Sequence, residues 1–245
     1  MNAAIAHPAA TVLLVRDRPG GVEVYLQRRP RRFGFAGGLW VYPGGRVDHS
    51  DRHPAIDPHW SGPPPDAWAR RLGVDIHTAR GYVVAACREL LEEAGVLLAH
   101  PAAATEDLDV ARRDLLAGAR NLAQVVEDLD VGLDTSLLRY WAWWLTPEAE
   151  PRRFDTRFFV AQVPAGASVI PHANEVVEEM WVQAPVDGVM LPPTYYTLRD
   201  VVAFGSAAAV LHAGVDRRVD RVLPVVDGSE IVLPWDERYP LPPGT

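Results

Sequence analysis

The sequence predicts an α/β sandwich, a mixed sheet with helices packed beside it, and three observations carry that prediction. Short β-rich runs and helical stretches alternate along the 245 residues instead of segregating into halves, the order that produces layered α/β domains. Apolar residues make up 48% of the chain, ample for a packed core. One stretch, Gly81-Tyr-Val-Val-Ala-Ala-Cys-Arg-Glu-Leu-Leu-Glu-Glu-Ala-Gly-Val96, has the apolar period of an amphipathic helix that ends at a glycine.

In chain order, Ala10–Arg16 and Val22–Arg28 are β-rich runs around Asp17–Gly21, which reads as a hairpin with a five-residue loop. Val22, Val24 and Leu26 alternate with Glu23, Tyr25 and Gln27, so one face of the second strand is expected to be buried. Gly38–Tyr42 is a short strand running into Pro43-Gly44-Gly45, where paired glycines allow a turn and a close backbone approach. Residues 52–80 have mostly loop chemistry, with a short helix over Asp66–Leu72 and too few apolar residues for a core of their own. They are expected to form a lid or a dimer contact within a single domain spanning 1–245.

After the acidic helix, Val96–Leu98 starts a strand, and Glu106–Asp130 is helical with a break at Gly118. Tyr140–Leu145 and Thr156–Val163 are β-type, and their tryptophans are expected to sit in the core. A strand follows the acidic segment Asn174–Met180. A C-terminal extension over 192–245 adds a helix from Pro192 through Ala209 and a hairpin from Arg221–Val226 and Glu230–Pro234.

Lys and Arg number 24 against 32 Asp and Glu, a formal charge of -8, which argues against general binding to nucleic acid or to an anionic membrane. Cys87 is the only cysteine, so no intrachain disulfide forms, and its place on the apolar side of the helix makes it a small core residue. His49, His53, His59 and His77 lack metal-ligand spacing and read as surface or packing residues. With no leader-like start, no long apolar run and no Ser-Lys-Leu address at the end, the expectation is a cytoplasmic protein.

On a helical wheel Glu89, Glu92 and Glu93 fall opposite Val83, Cys87, Leu90 and Leu91, facing away from the core, and their i, i+3, i+4 spacing gathers three carboxylates on one patch. Such hard oxygen donors suit Mg²⁺ or Mn²⁺; the same triplet also reads as a solvated acidic face.

Upstream, Tyr42-Pro-Gly-Gly-Arg-Val-Asp48 tips the balance. With it the sequence resembles the Nudix hydrolases, whose box is G-x5-E-x7-R-E-U-x-E-E-x-G-U, where U is a bulky aliphatic residue. Gly45 matches the first glycine, and Arg88-Glu89-Leu90-Leu91-Glu92-Glu93-Ala94-Gly95-Val96 matches the second half. Asp51 stands where the family has glutamate, and residues 52–87 supply 36 residues where the box has seven, an insertion of 29. Closure entropy grows only logarithmically with loop length, so a split box is thermodynamically tolerable.

The split box, with Trp144-Leu-Thr-Pro147 and Arg152-Arg-Phe-Asp-Thr-Arg-Phe-Phe159, is similar to the Nudix branch that includes the peroxisomal coenzyme A diphosphatases. That resemblance implies a Nudix-type α/β/α sandwich and a divalent-metal-dependent hydrolase that cleaves a nucleoside diphosphate derivative. Coenzyme A or acyl-CoA leads, with ADP-ribose or NADH as the alternative and a non-catalytic nucleotide sensor as the reading from another class. It further implies a metal shell of Glu89, Glu92, Glu93 and the Gly44 carbonyl, with Arg88 holding a glutamate in place. The base would be Glu92 or a later acid, Glu178 before Glu175. Arg28, Arg29, Arg152, Arg153 and Arg157 are the candidates for phosphate or nucleotide contacts. A small-molecule substrate is the expected partner, and a homodimer is a further expectation.

Overall fold

Strand β1 (Ala6–Arg18) is apolar on both faces, and this decides the layering. Val12 and Leu14 enter one core and Leu13 and Val15 another, as the two-residue period of a strand requires. The computed structural model describes residues 4–32, 36–172, 176–186, 189–228 and 230–239. Strand β2 (Gly21–Arg28) follows β1 through a turn tighter than predicted. Arg18 pairs with Gly21, so the loop is Pro19-Gly20, and Gly20 has the positive φ (96°) that such a turn demands. The expectation of one buried face on β2 fails as well. Tyr25 and Gln27 are as buried as Val24 and Leu26, because helices cover both sides.

Two short strands, β3 (Trp40–Val41) and β4 (Gly44–Arg46), attach to β2 and β1. Helix α1 (Pro65–Leu72) packs on the long helix α2 (Ile76–Ala94). Helix α2 starts five residues before the predicted Gly81, because Asp75 caps it by accepting from the Thr78 N–H at 2.9 Å. It stops at Gly95, in the left-handed conformation (φ 69°).

Strands β5 (Trp60–Ser61), β6 (Ala99–His100) and β7 (Gly132–Asp134) form a small separate sheet, so the predicted strand at 96–98 begins later. The predicted helix over 106–130 divides at Gly118 into α3 (Thr105–Leu116) and α4 (Leu122–Asp128). Then come β8 (Arg139–Leu145), β9 (Arg153–Gln162) and β10 (Glu178–Val182), completing a main sheet in the order β10-β2-β1-β9-β8. The β1–β9 pair is parallel and the other neighbours are antiparallel, the mixed sheet expected.

The C-terminal helix is two helices, α5 (Pro192–Val202) and α6 (Ala207–Ala213), because Ser206 recaps the chain through the Ala209 N–H. Strand β11 (Arg221–Val222) extends the main sheet beside β8, and the predicted hairpin narrows to β12 (Val225–Asp227) and β13 (Glu230–Val232). One face of the sheet is therefore covered by α1 and α2 and the other by α5 and α6, which makes the sandwich α/β/α.

Residues 52–80 wind through a 3-10 segment (Pro54–His59), β5, α1 and the first residues of α2. Ile56, Trp68 and Leu72 are buried in the core under α2, and Trp68 meets Phe159 edge-on at 5.9 Å. Cys87 is fully buried there too, and burial pushes its thiol pKa up, so it is inert. No described helix is long and apolar enough to cross a membrane.

Candidate active site

Arg88, on α2, organises the acidic patch, with each of its donor nitrogens engaged. Its Nε and one terminal nitrogen each reach an oxygen of Asp51 at 3.0 Å, a fork-to-fork pair. The same terminal nitrogen donates to the Arg46 carbonyl at 2.9 Å, while the other donates to Glu89 and Glu92, both at 2.9 Å. One guanidinium thus ties the two halves of the split box together across the insertion. Asp51 is buried, so the shorter acid does here what a paired carboxylate must: it satisfies a guanidinium removed from water. Burial works against the charge on Arg88, but the Asp51 hydrogen bonds and the nearby Glu89 outweigh it and raise the pKa.

The prediction that the three glutamates face away from the core needs correction. Glu89 and Glu93 are only 8% and 4% exposed, and Glu92 is half-buried. Strand β4 covers them. An added Cβ on Gly45 would lie 2.3 Å from a Glu89 carboxylate oxygen, and one on Gly44 would lie 2.4 Å from Thr11 Oγ1. The paired glycines are needed for this close packing; neither has a positive φ, and they continue a strand instead of making the predicted turn. Glu93 accepts the Gly44 N–H at 2.9 Å and also the Gln27 side-chain amide from β2. Burial pushes the Glu89 pKa up to about 7 against the pull of Arg88, and burial raises that of Glu92 too.

Among the described residues no three His, Cys, Asp or Glu side chains form a ready-made metal cage. The donor set nonetheless fits a hard divalent cation. Asp51, Glu89 and Glu92 share the one positive charge of Arg88, which engages a single oxygen of Glu89 and of Glu92. Glu89, Glu92 and Glu93 all line one cleft with Gly44 and Gly45, so carboxylates and main chain meet there.

That cleft has a volume of about 670 Å³, and it sorts the candidate arginines. Arg29 and Arg152 line it. Arg28 does not: it donates to the Gly38 carbonyl at 2.9 Å and pairs with Glu178. Arg153 and Arg157 do not either, for a reason of strand parity. Phe154, Thr156 and Phe158 of β9 face the cleft, which turns the odd-numbered arginines to the other side. There Arg153 donates to the Thr146 and Ala4 carbonyls, and Arg157 lies buried over the Trp143 ring at 3.6 Å. Glu178, opposite Arg28 in the β2–β10 pair, is likewise off the cleft lining, and Glu175 lies outside the described residues.

Sequence reasoning missed Arg46, exposed in the cleft wall directly after Gly45, and Gln27, whose amide fixes Glu93. The box motif marks Arg46 by adjacency. Gln27 carries a detectable signal only as a polar residue in an apolar strand. Also unanticipated is the wall supplied by the C-terminal extension, from Pro192, Pro193, Thr194 and Ile231. No residue of 52–80 is among those lining the cleft.

Comparison with known proteins adds independent findings. The family profile described as the NUDT19 Nudix domain matches residues 57–191. The human acyl-coenzyme A diphosphatase NUDT19 is 28% identical, over 87% of this chain and 71% of its own length. The Gallus gallus protein of the same name is 26% identical, over 99% and 82%. Among solved structures, the NUDIX hydrolase from Alicyclobacillus acidocaldarius superposes with a TM-score of 0.68 at 25% identity, covering 85% of this chain and 96% of that one.

Proposed function

The chain belongs to the NUDT19 Nudix domain family and is a Nudix hydrolase, an enzyme; from that premise we propose that it hydrolyses the diphosphate linkage of coenzyme A or an acyl-coenzyme A. The observation that supports this reading is the joining of both halves of the split box by Arg88, whose partners Glu89 and Glu92 line a cleft of about 670 Å³. The names of the NUDT19 relatives point to the same substrate class.

In the proposed mechanism Glu89, Glu92, Glu93 and the Gly44 carbonyl are the groups that would hold Mg²⁺ or Mn²⁺. A cation bound there neutralises phosphate charge and lowers the pKa of its water. Arg88 keeps Glu89 and Glu92 aimed inward, and Gln27 with the Gly44 amide does so for Glu93. Arg29, Arg46 and Arg152 receive phosphate oxygens from the cleft wall. Glu92, the least buried of the three acids, accepts the proton of the attacking water. The products are a nucleotide and a phosphorylated pantetheine half, each keeping one phosphate of the broken anhydride.

The test is a screen of diphosphate compounds with Mg²⁺ or Mn²⁺ and mass identification of products. Turnover of coenzyme A or its thioesters, lost on chelation and restored by the metal, is the expected result. Preferential turnover of ADP-ribose or NADH would replace the substrate and keep the chemistry. Nucleotide binding without any turnover would favour a sensor.

A further inference from the structure

We infer that Arg112, outside the box and on a different helix, is a positioning residue for the last turn of α2: the hydrogen bond it donates to the Glu92 main chain keeps Glu92 and Glu93 set for a divalent cation. This rests on the reading of the acidic patch as the metal shell of a hydrolase.

The last turn of an α-helix carries carbonyls with no partner inside the helix. In α2 the Gly95 and Val96 N–H groups turn back onto the Leu91 and Leu90 carbonyls, which leaves those of Glu92, Glu93 and Ala94. Each finds a donor from elsewhere in the fold. The Ile170 N–H reaches the Ala94 carbonyl at 2.8 Å, the His172 N–H reaches that of Glu93 at 3.1 Å, and Arg112 Nε reaches that of Glu92 at 2.9 Å. Two of these donors are main chain, so any residue but proline supplies them. The third depends on one side chain, and it holds an acid that lines the cleft.

The guanidinium is placed for this bond and for little else. Arg112 is 8% exposed, its only hydrogen-bond partner among the described residues is the Glu92 carbonyl, and one terminal nitrogen is buried without a partner. Burial pushes its pKa down against the pull of Asp109, the Tyr25 hydroxyl and Glu93. Taking a charge out of water for so few bonds is costly, and an apolar side chain of the same length would serve packing better. The other terminal nitrogen lies against the closing glycine, 3.3 Å from where a Cβ on Gly95 would stand. A positive charge suits this end of the α2 dipole.

Arg112 also stands on a fixed platform. Ala111 and Leu115, on either side of it along α3, are buried in the core beneath α2, and Leu116 on the next turn lines the cleft. An outer contact of this kind sets the aim of the ligands inside it.

The first readout is Kd for Mn²⁺ on the full-length protein without substrate, from the electron paramagnetic resonance signal of free Mn²⁺. Arg112→Met keeps the stem and removes the donor. Arg112→Gln keeps an N–H at the place of Nε without the charge, and Arg112→Lys keeps the charge with its amine one atom further out. Arg112→Met and Arg112→Lys are expected to raise Kd about tenfold, and Arg112→Gln by no more than about threefold. Arg113→Met, on the exposed side of α3, leaves Kd unchanged. The second readout is turnover at saturating Mn²⁺, where every variant is expected to keep the wild-type KM. A wild-type Kd in Arg112→Met overturns the inference whatever its Tm, and so does an equal rise in all three variants, which marks a packing role. Should Arg112→Met not fold, Arg112→Lys binding Mn²⁺ as tightly as Arg112→Gln overturns it. The expected order of Kd values in a protein that hydrolyses no diphosphate removes the hydrolase reading and leaves the role of Arg112 standing; hydrolysis with an unshifted Kd does the reverse.

Discussion

Residues 52–80 and the extension from 192 onward are both additions beside the sheet, yet they meet the rest of the chain in different ways. The first packs Ile56, Trp68 and Leu72 beneath α2 and supplies nothing to the cleft. The second places Pro192, Pro193 and Ile231 in the cleft wall. An insertion inside the box motif thus packs into the scaffold, while a segment remote from that motif in sequence lines the cleft. Distance along the chain is a poor guide to function when one guanidinium closes the gap between Asp51 and Glu89.

The largest test of this contrast removes the acids that belong to neither addition. Glu92→Gln and Glu93→Gln are each expected to lower kcat by about 10²–10⁴-fold with far-UV circular dichroism unchanged; a variant that turns over like wild type takes the acidic patch out of the mechanism. Next, Trp68→Ala should cost about 3–5 kcal/mol of stability in urea unfolding and leave KM of the folded protein unaltered. A raised KM without a stability loss would mean that the insertion touches substrate after all. Mg²⁺ or Mn²⁺ at a hundred times its Kd should stabilise the fold by about 2.7 kcal/mol, read as a higher Tm that EDTA reverses; an unmoved Tm would count against Glu89, Glu92 and Glu93 as ligands. The smallest effect belongs to Tyr42→Phe, which unties the extension from Thr194. About 1 kcal/mol of stability should be lost, with KM rising more than kcat falls, and an unchanged KM would argue that the extension merely packs.

Helix α2 was legible because its apolar period, its closing glycine and the box spacing all agree. The burial of its acids was not, since a helical wheel shows what faces away from one partner and is silent about a second, here β4, arriving from outside. Arg153 and Arg157 misled for a related reason. A basic residue in a strand is judged by which face it takes, and parity placed Phe154 and Thr156 on the cleft side. Asp51 looked like a defect in the motif until its pairing with Arg88 showed that the position needs a buried carboxylate. The apolar wall escaped notice because Pro192-Pro193 signals only the start of a helix, and no local pattern says where that start will point.

The contact between Gly45 and the Glu89 carboxylate separates what mutation can adjust from what it can only damage. At Gly44 and Gly45 the wall is bare peptide, with no room for even a methyl group. Elsewhere the cleft is lined by side chains such as Phe154, Thr156 and Pro192, so a substitution there changes the shape of the cleft.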